Sequence, residues 1–181
     1  LVADLKRQGL VKGFGISVNR WEPSNVLAAL ATGLIDSVQV IYNIFDQAPE
    51  DVLFDVCQRD NIAVIARVPF DEGSLTGQLR HDTVFAEDDW RASYFVPENL
   101  QATVQRVQHL QAALPPDTSL PELALRFILQ HPAVTTVIPG MRQRKHVEAN
   151  FACADKPALT EHTMATLKQH RWDRLPTWWS Q

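Results

Sequence analysis

The stretch SVQVIYNIFDQAPEDVLFDVCQRDNIAVIARV, from Ser37 to Val68, carries the reading that decides the fold. Its first residues, Ser37–Ile41, form a short apolar run of strand length. Pro49 then suits the first position of a helix, where its missing N–H costs nothing, and Val52, Leu53, Val56 and Cys57 are placed to face a core. Ile62–Val68 is almost continuously apolar, the pattern of a parallel strand covered on both faces. A strand, a helix and a second strand in this order predict parallel pairing through a helical crossover.

The same alternation extends both ways. Upstream, Leu1–Gln8 reads as the end of an amphipathic helix with Leu1, Val2 and Leu5 on one face and Gly9 as its stop. Val11–Val18 reads as a strand in which Gly13 and Gly15 allow close approach of a neighbouring backbone. Ser24 or Asn25 caps a helix to about Thr32 that buries Val26, Leu27 and Leu30, and Gly33 ends it. Downstream, the segment from Pro69 to Pro97 has few apolar repeats, and loops of that length are usually functional or disordered. Helices follow at Glu98–Leu114 and at Leu120–Gln130, the second capped by Ser119. Val134–Ile138 is a fourth strand, and helices at Arg144–Ala154 and Thr160–His170 complete the pattern.

The fold class is therefore α/β, with four parallel strand–helix units. Two architectures accommodate them. One is an open doubly wound sheet, whose unprotected edges make it a poor stand-alone structure. The other is half of a (β/α)8 barrel, a fold that takes about 250 residues.

Composition narrows the function. With 181 residues, 45% hydrophobic, the chain has material for a substantial core. A net charge of −4 argues against nucleic acid as a partner, because no basic field is available for phosphate backbones. The apolar runs are too short to span a bilayer. Two cysteines, Cys57 and Cys153, make neither a disulfide framework nor a zinc spacing, so a reducing, cytoplasmic setting is expected. The six histidines form no metal-ligand pattern. A start at Leu1, inside a helical pattern, predicts that residues 1–181 are a fragment: one partial domain.

Three segments, GISVN at Gly15–Asn19, VQVIYNIFDQ at Val38–Gln47 and TTVIPGMRQRKHVEAN at Thr135–Asn150, carry a family resemblance. With the turn GSLTG at Gly73–Gly77 and the helix LALRFIL at Leu123–Leu129, they resemble the aldo-keto reductases from the fifth barrel strand to the C-terminus. The resemblance implies the second half of a (β/α)8 TIM barrel. It also implies NADP(H) held at the C-terminal ends of the strands, and reduction of an aldehyde or ketone by hydride transfer. The family's catalytic Asp, Tyr, Lys and His lie on the first four strands, so none is expected here and the chain alone is expected to be inactive. Tyr42 and Tyr94 match other parts of the pattern.

The resemblance also assigns a cofactor site. Ser17 matches the Ser that bonds the nicotinamide carboxamide, and a hydroxyl that both donates and accepts suits an amide. Val18 stands where the family commonly has Asn. Gln39 matches the glutamine that completes the carboxamide site, and a glutamine in an apolar strand needs a partner. Arg67 stands where many members stack an aromatic ring on the nicotinamide. Its planar guanidinium can stack in its place, at the cost of positive charge beside the oxidised ring; pairing with Asp71 or Glu72 is the structural alternative. Pro69, Phe70 and the turn Gly73–Gly77 correspond to the loop under the pyrophosphate, where backbone N–H groups could cradle phosphate oxygens. Gly140, Arg142, His146 and Asn150 fall where the family binds the 2′-phosphate and adenine. The run Arg142, Arg144, Lys145 at a helix start favours an anionic ligand, hence NADPH. Ala149 replaces a frequent adenine-binding glutamate.

Three features stay outside that site. Asp88, Asp89, Trp90 and Arg91 suit a substrate lid, and Trp172, Trp178 and Trp179 either line a substrate pocket or cap outer surface. The expected partners are a small carbonyl substrate and, to close the barrel, either the missing N-terminal half or a second copy. The alternative function is a non-catalytic nucleotide-binding or regulatory module resembling the β subunits of potassium channels.

Overall fold

The computed structural model describes residues 1–178. Trp179, one of the C-terminal tryptophans singled out above, lies outside them. Four parallel strands form one sheet in the order β1 (Gly15–Ser17), β2 (Ser37–Ile41), β3 (Ala63–Arg67) and β4 (Val134–Val137). Gly15, Ile16 and Ser17 pair with Ser37, Val38 and Gln39. Val38, Gln39 and Ile41 pair in turn with Val64, Ile65 and Arg67. Between β3 and β4 the register shifts at Val64/Ile65.

The strands alternate. Val38, Val40, Val64 and Ala66 are fully buried under α2 (Leu27–Leu30), α3 (Leu53–Arg59) and α6 (Leu120–Leu129), with Leu30, Phe54, Leu123 and Phe127 in the same core. Burying each large apolar side chain there contributes roughly 1.5–3 kcal/mol. The other face carries Ser17, Ser37, Gln39, Ala63, Ile65 and Arg67, all exposed or half buried, with Ile41 buried at the end of β2. β3 is therefore covered on one side, not on both as its apolar run suggested. A core packed by helices on a single face is what part of a barrel wall looks like; a doubly wound sheet would be covered twice.

Several boundaries differ for local reasons. β1 is three residues long, because the stretch before it holds Gly13, an exposed Lys12 and an edge with a single neighbour. The helix expected from Pro49 splits into a 3-10 turn, Ala48–Asp51, and α3, with Val52 at φ −148° between them. Val52 is consequently 44% exposed, outside the core. Helix α1 (Val2–Arg7) stops at Gly9, whose φ of +70° a side chain would resist. Ser119 and Thr160 cap α6 and α8 (Glu161–Lys168) as expected, accepting from the N–H groups of Glu122 and Thr163.

The long segment after β3 is ordered by its own small core. A 3-10 turn, Asp71–Thr76, leads to α4 (Arg91–Tyr94) and α5 (Pro97–Ala112). Tyr94, Phe95, Leu100 and Val104 pack together there with Leu79 and Phe85, whose ring stacks on Phe95 at 5.5 Å. Helix α7 (Arg144–Ala152) follows β4 and buries none of its residues; Phe151 is 68% exposed. Among the described residues no helix is long and apolar enough to cross a membrane.

Candidate functional site at the strand ends

The C-terminal ends of β1, β2 and β3 open into three polar loops. The loop after β2 turns on Asn43, which is fully buried and satisfied at every side-chain atom. Its Nδ2 donates to Asp46 Oδ2 (3.1 Å) and to the Val68 carbonyl (3.0 Å), while its Oδ1 accepts from the N–H groups of Phe45 and Asp46. In the loop after β3, Val68, Asp71 and Glu72 adopt left-handed φ of 55°, 45° and 56°. Such conformations cost non-glycine residues on the order of 1–3 kcal/mol each and persist only when the surroundings hold them.

A knot of ion pairs holds them. Arg174, in the C-terminal segment, places Nη2 at 2.6 Å from both Asp46 and Asp71. Arg20, just past β1, reaches Asp46 at 3.2 Å, Asp71 at 3.4 Å and Glu72 at 3.8 Å. The Ser74 hydroxyl donates to Asp71 Oδ2 at 2.7 Å, and Arg174 also meets the Tyr94 hydroxyl at 3.3 Å. Complete burial pushes the Asp71 carboxyl upward, but the charge and hydrogen bond of Arg174, with Arg20 and Ser74, outweigh it and hold its pKa below the usual range. Glu72 is instead raised, chiefly by burial. Sequence reasoning missed this knot; its only trace was a charged residue a few positions beyond each of the first three strands.

The predicted cofactor residues fall into two neighbouring groups. Ser17 and Gln39 are register partners on the open face, the Val18 N–H bonds the Gln39 carbonyl at 2.9 Å, and neither Ser17 nor Gln39 has a side-chain hydrogen bond among the described residues. Arg67 shares that face. It makes no salt bridge with Asp71 or Glu72, which Arg20 and Arg174 engage, and its Nη2 reaches the Val18 carbonyl at 3.4 Å. Desolvation lowers its pKa. Pro69 is buried and Phe70 packs half-buried on the main core. The Phe70 carbonyl accepts from Gly73 and Leu75, and Gly77 N–H bonds Ser74, so these N–H groups of the GSLTG turn are used internally rather than left for phosphate.

The second group follows β4, which lies beside the end of β3: the Ile138 N–H bonds the Ala66 carbonyl at 3.0 Å. Gly140, Arg142 and His146 are exposed, and Arg144 is turned to Glu148 at 2.7 Å, which leaves Arg142 and Lys145 as the open cations of the basic run. Asn150 lines a groove of about 210 Å³ with Leu125, Leu129, Thr136, Val137, Met141 and Phe151. Its Nδ2 is buried without a hydrogen-bond partner. An orphaned amide donor in an apolar groove fits a flat, acceptor-bearing ring such as adenine. At Asp89, a candidate lid residue, the Arg91 side chain and N–H hold the pKa down to about 2, with the Arg142 charge adding to them.

Tyr42 is fully buried on the helix side, and its hydroxyl donates to Glu50 Oε1 at 2.6 Å. Trp172 packs edge-on against Phe45, with the guanidinium groups of Arg106 and Arg174 at 4.3 and 4.6 Å from its ring. Trp178 is 77% exposed.

Similarity to known proteins adds the family. The aldo/keto reductase family profile matches residues 1–171. An uncharacterized oxidoreductase of Bacillus subtilis, YqkF, is 28% identical over 170 residues, 92% of this chain and 52% of the relative. The NADH-specific methylglyoxal reductase of Escherichia coli is 25% identical over 150 residues, 82% of this chain and 45% of the relative. A holo-form aldo-keto reductase structure from Bacillus halodurans superposes with a TM-score of 0.72 at 24% identity, covering 99% of this chain and 55% of that one. The chain thus spans about half the length of the relatives it matches, and these matches do not favour the regulatory-module alternative. On the match across residues 1–171, the chain belongs to the aldo/keto reductase family.

Proposed function

We propose that this chain is the cofactor-binding half of an NADP(H)-dependent carbonyl reductase, strands five to eight of a (β/α)8 barrel. The observation that carries the reading is the Ser17–Gln39 pair: two polar side chains in register, on the open face, at the strand ends where barrel enzymes bind ligands. Together they offer the donors and acceptors that orient a carboxamide. Asn150 supplies an unpaired donor for the adenine, and Arg142 and Lys145 supply charge for a 2′-phosphate. One relative is named as NADH-specific, so the preference for NADPH rests on this chain's own basic residues.

When bound, the cofactor supplies a hydride for a carbonyl carbon. Ser17 and Gln39 hold the reacting end, and Asn150 and Arg142 hold the other. The proton donor is proposed to come from the other barrel half, either a preceding segment or a partner chain, seated on the free edges of β1 and β4. Addition of a small aldehyde or ketone, with NADPH, to this chain joined to the other barrel half tests the reading. Carbonyl-dependent loss of NADPH absorbance by the closed barrel supports it; NADPH that stays bound and unoxidised across a panel of aldehydes and ketones contradicts it.

A further inference from the structure

Three arginines and three acids crowd the mouth formed by β1, β2 and β3, and their pairing is uneven. Arg174 and Arg20 between them engage Asp46, Asp71 and Glu72, the first two at both guanidinium groups. Arg67 has no salt bridge among the described residues. Its single hydrogen bond is the 3.4 Å contact from Nη2 to the Val18 carbonyl, and its Nε is buried without a partner. Burial disfavours its charged form most; the Glu72 charge favours it, and the Arg20 charge disfavours it in turn.

The place of this cation matters. Val18 follows Ser17 and its N–H bonds the Gln39 carbonyl, so the contact with Val18 fixes the guanidinium within one residue of the Ser17–Gln39 pair. Arg67 also projects from the same sheet face, since Ile41 pairs with Arg67 and Gln39 with Ile65. Any ring whose amide docks on Ser17 and Gln39 therefore lies in the field of a guanidinium that no carboxylate contacts directly, Glu72 and Asp46 opposing its charge only from beyond salt-bridge distance.

We propose that Arg67 makes the site discriminate by charge between the two redox states of its cofactor, holding the neutral reduced nicotinamide in preference to the cationic oxidised one. The inference rests on the carboxamide role of Ser17 and Gln39. Two unit charges near a protein surface repel strongly enough for a preference of about tenfold or more. A tenfold preference raises the midpoint potential of the bound two-electron couple by about 30 mV. The oxidised nucleotide then leaves readily after each turnover, which limits product inhibition during reduction rather than adding driving force to the hydride step.

Equilibrium titration of the protein with NADPH and with NADP+ tests this without any turnover. The wild type is expected to hold NADPH at least about tenfold more tightly. Arg67→Met should bring the ratio towards one, mainly by tightening NADP+, whereas Arg67→Lys should keep it. A wild-type ratio near one, which needs no variant to fold, overturns the inference, as does a ratio that survives in Arg67→Met. In both of those cases the cofactor reading stands; if wild type binds neither nucleotide, that reading falls and this inference with it.

Discussion

Arg174 meets Asp71 across 103 positions of sequence, Nη2 to Oδ1 at 2.6 Å, where the two side chains are 3% and 0% exposed. The contact ties the C-terminal segment to the loop after β3, and Asp46 ties the same guanidinium to the loop after β2. Breaking a buried pair leaves an uncompensated charge and typically costs about 3–5 kcal/mol. Arg174→Ala should lower the denaturation midpoint accordingly. It should also shift tryptophan emission, because Trp172 lies 4.6 Å from that guanidinium.

The same pair sets an acid limit. The Asp71 pKa is lower in the folded chain than in the unfolded one, so its contribution to stability is fully present above about pH 4. That contribution is lost as the pH falls through the depressed folded value. Asp71→Asn should be less stable at neutral pH and show a shallower loss on acidification. A pH series of unfolding midpoints for both proteins measures it; parallel acid limbs would contradict the assignment.

Val68 sits at φ 55° immediately after β3, in a region that β-branched residues avoid. Val68→Asn relieves that strain while preserving the carbonyl that accepts from Asn43 Nδ2. A gain of up to about 1 kcal/mol in unfolding free energy is expected.

These tests bear mostly on features the sequence left unread. β2 was legible to the residue, β3 to within one residue at each end and β4 to within one at its C-terminal end, because apolar runs between turn residues are a local signal. The caps at Ser119 and Thr160 are local too. Val52 was misjudged because Pro49 started a 3-10 turn whose phase differs from that of an α-helix. The knot could not be seen, since Arg20, Asp46, Asp71 and Arg174 belong to four separate segments that the fold alone brings together. Ser17 and Gln39 were found through motif resemblance, and their cross-strand register became plain only in the sheet.

Arg142, in the loop before α7, is exposed and, unlike Arg144, makes no salt bridge among the described residues. Arg142→Ala should weaken NADPH by roughly tenfold or more, the effect of losing a charge-assisted hydrogen bond to phosphate, and leave NADH nearly unchanged. Parallel titrations of the two nucleotides read the difference directly; an equal loss for both would remove Arg142 from the 2′-phosphate site.

The most direct measurement is an NADPH titration followed by tryptophan fluorescence, on wild type and on Ser17→Ala with Gln39→Leu. Wild type should show saturable binding, tighter for NADPH than for NADH. Because neither side chain is spent on a hydrogen bond within the fold, the double variant should keep its thermal midpoint and lose affinity by roughly two- to tenfold per site. A folded variant that binds NADPH as tightly as wild type would contradict the account.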